Sequence, residues 1–125
     1  MNNDSENLLY HEIPKLTKEE INLAFQTQDE NLIGEAIISA CKFICDYDYI
    51  INICRKFGFS SSNTIRLNIL SALSLIAYNY EKIDIGLAYN IIDFCLDHGS
   101  LKVRNQAKEV REDIEHYAKL YGFFT

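Results

Sequence analysis

Little in this chain interrupts a helix: its 125 residues include one Pro and five Gly. Pro costs a helix interior about 3 kcal/mol and Gly about 1, so their scarcity favours long helices. No run of about 18–20 apolar residues occurs, which excludes a membrane-spanning helix. The start, MNNDSENLLYHEI, lacks the basic and apolar regions of a signal peptide, so a cytoplasmic location is expected. The four cysteines then read as reduced, buried thiols. No CxxC or HxxxH pairing offers zinc its four convergent ligands. Gly-rich phosphate loops, GxSxG, HExxH and EF-hand spacings are missing as well. Neither enzymatic activity nor a cofactor is expected.

Positive charge is also scarce. Twelve Lys and Arg stand against 18 Asp and Glu, a net charge of −6. No basic stripe exists to neutralise phosphates, so nucleic acid is a disfavoured partner. The same electrostatics favour a basic protein. Ten of the acids and five of the bases fall between Met1 and Ser62, so the excess leans to that half.

What is present is helical periodicity. The stretch Ser62 to Tyr78 (SNTIRLNILSALSLIAY) is the most apolar long segment. Ile65, Ile69, Ala72, Leu73 and Ile76 recur on one face, and Leu70 and Ala77 widen it. A second band, Leu67, Asn68, Ser71, Ser74, Leu75 and Tyr78, mixes small and polar residues with two leucines. It spans about 80–200° of the circumference at 100° per residue from Arg66. A helix apolar over most of its surface is buried by several neighbours, so this one is expected at the centre.

Five further helices are predicted around it. Residues 1–14 are expected to be a loose N-terminal segment, with Leu8, Leu9 and Tyr10 as candidates to dock on the first helix. Thr17 and Glu20 make a capping box, with Leu16 and Ile21 as its staple, before a helix at Lys18–Thr27. Asp29 caps a helix at Glu30–Cys45, and a break at Asp46–Asp48 precedes one at Tyr49–Phe57. Gly58 fits a left-handed stop. Asn79–Ile83 is a loop, Asp84 caps a helix that Gly99 ends, and Ser100 caps Leu101–Tyr121. That last helix has a narrow apolar stripe of Val103, Ala107, Val110, Ile114, Tyr117, Ala118 and Tyr121, with charge elsewhere. Such one-sidedness suits the exposed end of a stack.

The pattern repeats. The shift that places Ser62 on Ser100 lays the third and fourth helices on the fifth and sixth, with Ile65 on Val103, Arg66 on Arg104, Ile69 on Ala107 and Ile76 on Ile114. A second shift, Asp29 onto Ser62, relates the second helix to the fourth. The segments SNTIRLNILSAL (62–73) and SLKVRNQAKEV (100–110) resemble the start of the second helix of HEAT repeats, with its V/I-R pair followed by small and apolar positions. The resemblance covers Thr17 to Tyr121. It implies a single all-α domain of about six helices in three antiparallel hairpins, a HEAT-like right-handed stack in which Arg66 and Arg104 brace hairpins. The family's usual Pro in the first helix and Asp in the turn are absent or displaced, so an irregular helical bundle is the alternative architecture.

In that family the second helices line a concave groove. Carrying the polar band forward by the first shift gives Asn105, Gln106, Glu109, Glu112 and His116. Carrying it back by the second gives Gly34, Glu35, Ile38, Cys41 and Cys45. HEAT proteins are binding scaffolds, and a short acidic one resembles in profile the immunity proteins that bacteria pair with nuclease toxins. The resemblance implies an antitoxin-like protein that covers the active site of a basic toxin with carboxylates. The expected partner-binding residues are Glu35, Asn68, Ser71, Tyr78, Glu109, Glu112 and Asp113, with Asp46 and Asp48 on a loop edge as second choice. A scaffold or adaptor subunit is the alternative. A HEAT-like DNA glycosylase would need a basic cleft and a catalytic Asp, and the charge argues against it. Glu109, Glu112, Asp113 and His116 read as a solvated helix face in preference to a metal site, and the need of zinc for four convergent ligands disfavours a Cys41, Cys45 and His98 site.

Overall fold

Helix starts follow the encoded caps. The computed structural model describes residues 12–123. Their helices are α1 (Lys18–Phe25), α2 (Glu30–Phe43), α3 (Tyr47–Phe57), α4 (Asn63–Tyr80), α5 (Ile85–His98) and α6 (Leu101–Tyr121), with no strand among the described residues. The chain is all-α. Thr17 Oγ1 accepts the Glu20 N–H at 3.1 Å while the Thr17 N–H donates to Glu20 Oε1 at 2.9 Å, completing the capping box. Asp29, Ser62, Asp84 and Ser100 each accept from a first-turn N–H of the helix that follows. These bonds satisfy donors that a helix start leaves open. The expectation for Leu8, Leu9 and Tyr10 lies outside the described residues. Pro14 and Leu16 are tied to α2, where the buried Ser39 hydroxyl donates to Pro14 O at 2.7 Å and accepts the Leu16 N–H at 3.0 Å.

Several ends differ from the periodicity. α1 stops at Phe25, short of Thr27. α2 stops at Phe43, because Ile44 turns extended (φ −99°, ψ 113°) and its carbonyl accepts the Tyr80 hydroxyl at 3.2 Å. Cys45 therefore leaves the helix and is exposed, whereas Cys41, Cys54 and Cys95 are buried as expected. The expected break is present but falls at residues 44–46, and Asp46 at its end is the cap: it accepts the Tyr49 N–H at 3.1 Å, so α3 begins at Tyr47 with Asp48 in its first turn. α4 continues past Tyr78 to Tyr80 and ends on Glu81 in the left-handed region (φ 55°). Gly58 is not left-handed (φ −63°). Glycine is needed there for closeness, since a Cβ would lie 2.5 Å from both Cys54 O and Ile91 Cδ1.

α4 is the hub: it packs on α2, α3, α5 and α6. Ile69, Leu70, Ala72, Leu73 and Ala77 are fully buried at its centre. Burying each large aliphatic side chain contributes about 1.5–3 kcal/mol, so α4 is where the hydrophobic drive concentrates. Contacts across its flanks rise together along both helices of each pair. Glu30 meets Ser62 and Ile44 meets Tyr80 between α2 and α4. Ser71 meets Gln106, Ser74 meets Asp113 and Tyr78 meets Tyr117 between α4 and α6. The three helices α2, α4 and α6 thus run parallel, side by side. On the other side Phe25 of α1 packs on Phe57 of α3 at 4.7 Å, and Arg55 of α3 reaches Asp84 at the start of α5 at 3.4 Å.

Arg66 fastens this arrangement. Its side chain is buried (7% exposed), with Nε donating to Ser60 O at 2.8 Å and NH1 to Asn63 Oδ1 at 2.8 Å and His98 O at 3.0 Å. The His98 carbonyl belongs to the C-terminal turn of α5, where a cation is favoured by the helix dipole. The guanidinium also lies 5.4 Å from the Phe94 ring. Arg104 reaches only Gly99 O, at 3.4 Å, and is exposed.

Candidate functional site

The parallel row leaves a groove of about 430 Å³. α2 contributes Ile38; α4 contributes Asn68, Ser71, Ser74 and Leu75; α6 contributes Gln106, Glu109, Val110 and Asp113. The small residues of α4 make the depression, because Ser71 and Ser74 stand between the longer side chains of the flanking helices. At its α2 side the helices close tightly over Gly34, where any Cβ would collide with Asn68 Nδ2 and lie 2.8 Å from its Cγ.

The lining is polar but organised. Asn68 Nδ2 donates to Thr64 O at 2.8 Å, one turn back on its own helix. Gln106 Nε2 donates to Ser71 Oγ at 3.1 Å, and the Ser74 hydroxyl donates to Asp113 Oδ2 at 3.1 Å. These bonds hold the walls in one conformation. Glu109 and Asp113 are the charged residues of the lining, and no Lys, Arg or His is among them. Arg111 of the same helix turns away to Asp93 at 3.4 Å.

An aromatic ladder continues the groove. Tyr78 lies one turn beyond Ser74, and Tyr117 one turn beyond Asp113. Their ring centroids are 5.8 Å apart, Tyr117 stacks on Tyr121 at 6.2 Å, and Tyr121 on Phe123 at 6.1 Å. Tyr78 is 59% exposed. Partial burial and the neighbouring Glu81 carboxylate raise the Tyr121 phenol above the ordinary tyrosine value.

Among the expected partner-binding residues, Asn68, Ser71, Glu109 and Asp113 come together in the groove, and Tyr78 stands at its end. Glu35 is half-buried one turn before Ile38. Glu112 and His116 are exposed on α6 but face past the groove; the residues opposite Ser74 and Tyr78 are Asp113 and Tyr117, one position on. Asp46 and Asp48 belong to the start of α3, not to this lining. Asp46 already pairs with Lys18 at 3.0 Å, and that ammonium and the Tyr49 N–H hold its carboxyl below the usual range. The sequence pattern does not single out Leu75, Val110 or the Tyr117–Tyr121 ladder as site residues. Their signal is the i, i+4 spacing Asp113, Tyr117, Tyr121, which serves equally well as a packing stripe.

Elsewhere the chemistry is quiet. A recess of about 150 Å³ between α1 and α3 is lined by Asn22, Phe25, Tyr49, Asn52, Ile53 and Lys56. Tyr47 and Tyr80 pack edge to face at 5.5 Å, as tyrosines between hairpins do. Burial pushes the Cys54 thiol up to about 12 and Cys95 up to about 11, and raises Cys41 further still. Such thiols stay protonated and are not nucleophiles at neutral pH. Among the described residues no group of three or more His, Cys, Asp or Glu is arranged to hold a metal ion. No helix among them is long and apolar enough to cross a membrane. Comparison with protein-family models, with curated proteins and with solved structures finds no significant match to this chain.

Proposed function

We propose that this chain is a protein-binding module that grips a basic protein in the α2–α4–α6 groove, and that the partner is a nuclease-type toxin whose phosphate-binding surface the groove covers. The supporting observation is the lining: Glu109 and Asp113 project into a preformed depression with no cation among the residues that form it. A nuclease surface carries lysines and arginines for phosphate, and carboxylates at matching positions would occupy it. The parallel order of α2, α4 and α6, with Arg66 tying successive hairpins together, supports the HEAT-like reading of the scaffold. The net charge of −6 adds long-range attraction for such a partner.

Coexpression with the C-terminal fragment encoded by the neighbouring upstream gene tests this. Copurification and silencing of a toxic fragment are expected. Glu109→Gln with Asp113→Asn should then weaken the complex about 2- to 30-fold, the value of two exposed ion pairs. The loss should shrink as salt rises. Affinity unchanged by the double substitution at every salt concentration would refute the electrostatic grip. Copurification with several endogenous proteins and no toxin would favour an adaptor.

A further inference from the structure

The groove does not end at its acids. Beyond Ser74 and Asp113 it runs onto Tyr78 and Tyr117, and from there along Tyr121 to Phe123. Tyr117 and Phe123 pack partly on the core and Tyr121 is half-buried, whereas Tyr78 is 59% exposed and leaves the near end of the ladder open to solvent. Two carboxylates followed by stacked aromatic faces form a composite surface. A carboxylate fixes a cation by charge, and a ring face holds a flat cation by its quadrupole. Lysine ammonium uses the first well and the second poorly, being compact and strongly hydrated; guanidinium uses both.

Resting on the basic-partner reading of the same groove, we propose that the ladder selects arginine: the docked segment of the partner places a guanidinium against Tyr78 and Tyr117 while a neighbouring cation meets Asp113 and Glu109. The spacing suits one extended segment. Adjacent turns of α6 separate Glu109, Asp113 and Tyr117 by about 6 Å each, close to the two-residue repeat of about 6.6 Å in an extended chain. Alternate side chains of such a segment would therefore meet successive sites. Glu81, at the end of α4 beside Tyr121, adds a negative charge at the far end of the ladder. Lys42 on α2 and Lys102 near the start of α6 are exposed on the flanking helices, and neither belongs to the lining.

The probes are hexa-arginine and hexa-lysine peptides, equal in charge, titrated against the full chain by fluorescence anisotropy. Hexa-arginine should bind about two- to five-fold more tightly, the size of one exposed cation–π contact. Tyr78→Leu with Tyr117→Leu keeps the apolar bulk and should erase that preference while leaving hexa-lysine binding unchanged. Glu109→Gln with Asp113→Asn should weaken both peptides and retain the preference. Equal binding of the two peptides by the wild type, a preference that survives loss of both tyrosines, or no saturable binding of either would overturn the proposal. So would self-association abolished by the tyrosine substitutions, which would make a second copy the occupant. Binding of both peptides that depends on Glu109 and Asp113 without arginine preference refutes the ladder alone and leaves the basic-partner reading standing.

Discussion

Replacing Arg66 by Ala removes a buried cation and three hydrogen bonds at once. The bonds run to Ser60 O, Asn63 Oδ1 and His98 O at 2.8, 2.8 and 3.0 Å. A hydrogen bond to a charged group contributes about 1.5–3 kcal/mol. The three are not independent. Asn63 is exposed, and water re-solvates its amide once the guanidinium is gone. Ser60 is half-buried and its carbonyl recovers less, while His98 is exposed like Asn63. A net loss of about 3 kcal/mol follows, a large share of the roughly 5–15 kcal/mol that holds a domain together. With about 2.1 cal/mol/K of unfolding entropy per residue over 125 residues, that lowers Tm by about 11 °C. Urea denaturation followed by circular dichroism measures it. Arg66→Lys keeps the charge but cannot reach three acceptors fixed in a fork, so it should lose about half as much. Arg66→Met keeps the stem and should behave like Ala. A loss below about 0.5 kcal/mol for Ala, or a Lys variant as stable as the wild type, would refute the bracing role.

Gly34→Ala should destabilise the protein although Ala is the better helix former by about 1 kcal/mol, because its Cβ collides with Asn68. In an Asn68→Ala background the same change should become stabilising, and denaturant midpoints of the four proteins check the change of sign. The native chain should react with one thiol-reagent equivalent, at Cys45, and the unfolded chain with four. For pH, the Cys41, Cys54 and Cys95 thiols are raised above 9.0 in the folded state by burial, so the unfolded state releases protons first. Their contribution is complete below pH 9 and is lost as pH rises through the folded values, each by up to about 1.4 kcal/mol per pH unit. Stability that stays level from pH 9 to 11 would contradict the burial.

Helix starts were legible because capping is local. Thr17, Asp29, Ser62, Asp84 and Ser100 act within the first turn that follows them, and the bond needs no partner from elsewhere in the chain. The buried faces were legible because a helix of 3.6 residues per turn aligns its apolar positions wherever it is placed. The polar band of α4 therefore pointed to Asn68, Ser71 and Ser74 as groove residues before any neighbour was known.

Six amphipathic helices, their caps and the identity of the hub are thus written in local pattern. Which residues of neighbouring helices meet across a contact is not; packing alone sets it. The shift that aligns α6 on α4 relates Ser74 to Glu112 and Tyr78 to His116, but the residues of α6 that meet Ser74 and Tyr78 are Asp113 and Tyr117. Neighbouring positions lie about 100° apart around a helix, and the interdigitation of side chains decides which of them meets the next helix. The same holds for Gly58, which is crowded by Ile91 as well as by its own helix's Cys54 carbonyl and not constrained by φ, and for Cys45, which leaves α2 where the Ile44 carbonyl receives Tyr80. Each depends on an atom two helices further along the chain, which no local pattern encodes.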